Sequence, residues 1–137
     1  MTTERPGVAE ILRGELGLDE VLIATDDPRL TYLPAGSAID AARPALVHSQ
    51  ALQDLLATLG IRYDHVVCDL PALLVTSEAL TLARLSQACM LIIQQGATPV
   101  GHVRAALDNL SGIQVLGVVM NKMSSRVPRW LLRRFAP

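Results

Sequence analysis

The sequence predicts an α/β fold, a mostly parallel sheet flanked by helices, and three observations lead there. Short apolar runs at 66–70, 89–94 and 113–120 alternate with helical spacing at 49–60, 77–85 and 100–110. Half of the 137 residues are apolar and only 18% are charged, which suits strands covered on both faces. Glycine, proline and short polar residues punctuate the runs, so each is brief enough to be a single element.

Residues 6–14 begin with Pro6 and end with Gly14 around Val8, Ile11 and Leu12, the asymmetry of a short helix. Residues 20–24 read as an edge strand. Turn chemistry at 25–28 precedes a brief strand at 30–33, which Pro34, Ala35 and Gly36 end, and a loop runs on to Pro44. From Ser49 onward Leu52, Leu55, Leu56 and Leu59 recur at helical spacing, with Ser49 offering a capping oxygen and Gly60 closing the helix. The run from His65 to Pro71, interrupted by Asp69, reads as a buried parallel strand. A helix over 77–85 and a strand over 89–94 follow. Thr98 as cap and Pro99 in the first turn open a helix over 100–110; Gly112 stops it, and a strand over 113–120 is bounded by Asn121 and Lys122.

Length and charge narrow the function. One domain over residues 1–137 is the expectation, with a basic amphipathic tail at 126–137. A formal charge of -1 argues against nucleic acid as the main partner, because phosphate binding by counterion release needs a basic surface. Cys68 and Cys89 sit in apolar runs without metal spacing, so both read as buried, reduced thiols, which suits the cytoplasm. No apolar run reaches the ~18 residues of a membrane span. His48, His65 and His102 lack ligand spacing, and no GxSxG elbow occurs.

In open α/β sheets, ligands bind at the carboxyl ends of strands. Four places qualify: Asp69, the Gln94-Gln95-Gly96 turn, Asn121-Lys122, and the loop after Leu33. An apolar run ending in Asp69 is the Walker B pattern, in which the carboxylate holds magnesium through water. An aspartate there also suits the cap of a following helix, and the residues leave both readings open. Asn121 likewise fits a contact to a base or ordinary turn chemistry.

Six words, in order, resemble the bacterial tyrosine kinases of capsule and exopolysaccharide synthesis, relatives of the partition-type ATPases. Pro6 to Gly14 resembles the family's PGLxEVLxG, and Leu33-Pro34-Ala35-Gly36 matches its LPAG. Tyr63 to Pro71 is similar to YDhhhhDTPP, with Asp69 on the Walker B aspartate. Ser77-Glu78-Ala79-Leu80 resembles SDAL, Gly96-Ala97-Thr98 resembles GxT, and Leu116 to Lys122 resembles LGVVhNK. The resemblance implies a P-loop NTPase fold, a water-bridged magnesium at Asp69, cofactor contacts from Gly96 and Thr98, and Asn121 near adenine.

The departures are as informative. No GxxxxGK[ST] phosphate loop occurs in the 137 residues, and Lys122 is the only lysine. Leu70, Pro71 and Ala72 replace Thr-Pro-Pro, Glu78 replaces an aspartate, and the family's C-terminal tyrosine cluster is not seen; the tyrosines are Tyr32 and Tyr63. The expectation is therefore a reduced P-loop NTPase fold that misses the phosphate-loop strand and has no kinase or ATPase turnover and no cofactor alone. Phosphoryl transfer needs backbone N–H groups and a lysine around the β and γ phosphates. ATP and magnesium enter only if another chain supplies that loop. The expected role is a non-catalytic module of exopolysaccharide assembly, partnered by a second copy or by a full-length kinase or polysaccharide co-polymerase. The tail, with Arg126, Arg129, Arg133 and Arg134 beside Trp130, Leu131, Leu132 and Phe135, has two readings. It packs on the sheet with its arginines solvated, or it touches the inner face of a membrane as part of a partition-type scaffold.

Overall fold

The computed structural model describes residues 5–37 and 43–123. The chain falls into two compact units, Met1–Leu70 and Pro71–Pro137.

The first unit carries α1 (Val8–Leu12), α2 (Leu18–Val21), β1 (Ile23–Ala24), β2 (Thr31–Tyr32), α3 (Arg43–Val47) and α4 (Gln50–Arg62). Both short opening helices start with the same device. The Glu10 carboxylate accepts from the Gly7 N–H at 2.6 Å and Glu20 accepts from the Gly17 N–H at 2.6 Å. Each satisfies an N–H that a helix start leaves without a partner. Because Glu20 is committed to capping, the strand expected over 20–24 shrinks to Ile23–Ala24, paired antiparallel as Ile23 with Tyr32 and Ala24 with Thr31. Helix α4 starts as its sequence implies, with the Ser49 Oγ accepting from the Leu52 N–H at 3.3 Å and with Leu52, Leu55 and Leu59 buried. Its end differs. Gly60 stays inside the helix, which runs to Arg62 and stops where Tyr63 turns extended. Helix α3 occupies the end of the expected loop, with Pro44 in the first turn, where its missing N–H costs nothing.

The stretch 65–70 departs most from expectation. It is neither a ladder strand nor buried: Val67 is 93% exposed and Val66 42%. An apolar run becomes a strand only through a paired edge, and among the described residues no ladder reaches this one. Cys68 is accordingly exposed and Cys89 half-buried, correcting the expectation of two buried thiols; both are free. Although Cys68 is exposed, atoms close to its sulfur desolvate the thiol and push its pKa up, the opposite of what a nucleophile needs.

The second unit carries α5 (Ser77–Leu85), β3 (Cys89–Gln94), α6 (Val100–Asn109) and β4 (Val115–Asn121). Strands β3 and β4 are parallel, joined through α6 and paired as Leu91 with Val118, Ile92 with Val119, Ile93 with Met120 and Gln94 with Asn121. Ala79, Ala83, Ala106 and Leu110 are the buried apolar side chains of this unit among the described residues. The arrangement is the predicted α/β one, a parallel sheet with helices around it. No helix among the described residues is long and apolar enough to cross a membrane. The tail at 126–137 lies outside the described residues.

Candidate functional site

The carboxyl ends of β3 and β4 bring three of the sequence-predicted residues onto one rim of the second unit. The turn leaving β3 is closed twice on Gln94, whose carbonyl accepts from the N–H groups of Ala97 and Thr98 at 3.3 and 3.1 Å. The Gln94 N–H in turn donates to the Thr98 Oγ1 at 3.0 Å. Gly96 sits at φ +72°, the left-handed region that glycine adopts without cost. Thr98 therefore braces the turn instead of capping α6, whose N-cap is Pro99. The hydroxyl points its acceptor at the strand end because the turn needs it there more than the helix does.

Asn121 ends β4 on the same rim. Its carbonyl accepts from the Gln95 N–H at 3.1 Å, tying the two strand ends together. Its side-chain Oδ1 accepts from the Lys122 N–H at 2.7 Å, which holds Lys122 at φ +52°. With the oxygen so engaged, the Asn121 amide NH2 is the group left to donate to a ligand acceptor. Gln94, Gln95, Gly96, Asn121 and Lys122 are all exposed. The rim is thus polar and open, built from backbone closures with one amide able to read an acceptor.

Asp69 belongs to the first unit, on the exposed stretch 65–70, and makes no hydrogen bond or ion pair among the described residues. Among the described residues no three His, Cys, Asp or Glu side chains gather where they could hold a metal ion. Thr76 is the N-cap residue of α5, yet its buried hydroxyl finds no partner there.

The sequence reading passed over the most constrained polar group of the described residues. Glu10, 6% exposed, accepts from the Ser37 Oγ at 2.5 Å, the Ser37 N–H at 3.1 Å, the Gly7 N–H at 2.6 Å and the Arg13 Nη2 at 2.8 Å. The Ser37 hydroxyl above all, then the Gly7 and Ser37 amides, hold its pKa at about 2 against an ordinary 4.5, overcoming desolvation. Around it the Val8 and Ala9 N–H groups donate to the carbonyls of Pro34 and Ala35 at 2.9 and 3.0 Å. The signal for this knot was present: a glutamate three residues after Gly7, and a serine directly after the Leu33–Gly36 word.

Comparison with known proteins places these features in context. No protein-family model matches the sequence. The chain is 25% identical over 120 residues to the tyrosine-protein kinase ptk of Acinetobacter johnsonii, covering 85% of this chain and 16% of that protein. It is 32% identical over 122 residues to the succinoglycan biosynthesis transport protein ExoP of Rhizobium meliloti, covering 86% of this chain and 16% of that protein. Among solved structures, the VpsO kinase domain superposes with a TM-score of 0.82 at 28% identity, over 90% of this chain and 62% of that one. The chain therefore spans about one sixth of the length of those two curated relatives.

Proposed function

From the premise that this chain is homologous to part of the kinase domain of bacterial tyrosine kinases, we propose that its 137 residues act as a non-catalytic, kinase-like interaction module in exopolysaccharide assembly. The observation that carries this reading is the stretch 65–70, an apolar run whose residues 65–69 are exposed and which no ladder reaches among the described residues. Such an edge is completed by a strand from elsewhere, so association is its natural use.

The donors at hand do not fit magnesium and a triphosphate by themselves. Magnesium is held by one or two carboxylates together with phosphates and water; among the described residues no three His, Cys, Asp or Glu side chains gather where they could hold a metal ion. The 137 residues contain no GxxxxGK[ST] sequence. No phosphoryl-transfer step is assigned to these residues.

A second reading is favoured by the rim of β3 and β4. The family resemblance puts Gly96, Thr98 and Asn121 beside the nucleotide, and all three lie on this rim, so on this reading a phosphate loop from another chain would complete an ATP site. Calorimetry with a non-hydrolysable ATP analogue and magnesium separates the two. The interaction module predicts no heat from the chain alone, and from a mixture with a kinase domain bearing a phosphate loop no heat beyond that domain's own. Heat in the mixture beyond that of the kinase domain, abolished by Asp69→Asn and weakened by Asn121→Ala, establishes completion in trans. Saturable heat from the lone chain overturns the module reading.

A further inference from the structure

The stretch 65–70 is complementary to itself. Among the described residues no backbone hydrogen bond reaches it. Tyr63, at φ -126° and ψ 140°, sends the chain out of α4 in the extended region, and Pro71, which has no N–H to give a ladder, closes the stretch. On the two-residue period of a strand His65, Val67 and Asp69 share one face, with Val66, Cys68 and Leu70 on the other. His65 and Asp69 flank Val67 symmetrically. An antiparallel pair of two copies centred on Val67 therefore sets each His65 opposite the other copy's Asp69, Val67 opposite Val67 on the two-fold axis, and Val66 opposite Cys68. We propose that the stretch pairs in this register with the same stretch of a second copy. The assignment rests on the association reading above and names its partner.

Charge selects both the stretch and the register. Shifting the pair one residue toward the N-terminus sets Asp64 opposite Asp69, two like charges. Shifting it one residue the other way sets Asp69 against Val66 and His65 against Leu70, so both polar groups lose their partners. Neither His65 nor Asp69 has a hydrogen bond or ion pair among the described residues, and both are exposed, so both are available to a second copy. Strands β3 and β4 contain no charged residue, so nothing comparable fixes a register on their outer edges.

Sedimentation velocity of the 137-residue chain tests this. From about 1 to 500 μM, at about pH 6 where imidazole is mostly protonated, it should show a monomer–dimer equilibrium. His65→Glu and Asp69→Lys should each raise the dimer dissociation constant about tenfold or more, because two like-charged pairs replace two opposite ones. Mixed in equal amounts, the two variants should form a heterodimer about as tight as the unaltered dimer, since every pair across it is again opposite in sign. That recovery also shows that both variants fold. In a Cys68→Ser background, Val67→Cys should be locked by a mild oxidant into a dimer linked through position 67. A dimer that the charge changes leave unmoved, or one that locks through native Cys68 instead, overturns the register and the proposal with it. A chain that stays monomeric throughout also overturns it. The association reading is then decided separately, by mixing that chain with a kinase domain bearing a phosphate loop: a complex lost with Val67→Lys keeps that reading, and no complex removes it.

Discussion

The knot at 7–37 and the β3–β4 pair solve the same problem, holding distant words of sequence together, by opposite means. The knot uses a buried carboxylate with four donors and two glycines whose missing side chains let backbones touch. The strand pair uses a parallel ladder whose apolar side chains stay largely exposed. The first arrangement satisfies its own polar groups, so it needs nothing further. The second is unfinished by itself, because a ladder satisfies the backbone between strands and leaves faces and outer edges for something else to cover. Self-sufficiency in one place and incompleteness in the other is the pattern that the proposed association module would use.

That contrast can be broken most forcefully at Gly7. A Cβ there would collide with the Pro34 carbonyl, backbone that cannot swing aside. Gly7→Ala should cost about 3 kcal/mol of stability or more in urea denaturation. A loss below about 1 kcal/mol would show that the knot is loose.

Glu10→Gln comes next. It keeps the volume but weakens hydrogen bonds made to a charge, which are worth about 1.5 to 3 kcal/mol. The pH dependence has a definite sign. The folded pKa of about 2 lies below the ordinary 4.5, so the stability from Glu10 is fully present above about pH 5 and is lost as pH falls toward 2. Acid unfolding followed by circular dichroism should flatten in that window for Glu10→Gln.

Ser49→Ala removes the cap of α4 and should cost about 1 kcal/mol, the usual value of an N-cap. The smallest effect belongs to Arg62→Ala. Its pair with Asp19 is a surface ion pair between exposed side chains, so the urea midpoint should not move measurably. A clear shift there would mean that surface charge supports the first unit as much as the knot does.

Local punctuation explains which elements were legible. Strand β3 spans the predicted 89–94, because an apolar run bounded by polar turn residues leaves few alternatives. Helix α4 begins where Ser49 said it would, since a cap is a contact within four residues. Gly60 misled because glycine ends a helix only when the chain turns left-handed there, and nothing in the sequence announces that it does not. Thr98 misled for a related reason: its hydroxyl had two possible partners, and the closing of the β3–α6 turn decided between them. At the candidate site, Gly96, Thr98 and Asn121 were identifiable by their place after strands, whereas their mutual bracing through Gln94 and Gln95 was not.

By itself the sequence determined the α/β class, the order of most elements and the words shared with the tyrosine kinases, since these depend on composition, period and neighbours a few residues away. Only the tertiary structure decided that Glu10 would be buried with Ser37 as its main partner, and that no ladder among the described residues would reach 65–70. Both outcomes depend on which backbone arrives from far along the chain. A carboxylate is tolerated inside only if enough donors converge on it, and a β-prone run is a strand only if an edge is there to receive it.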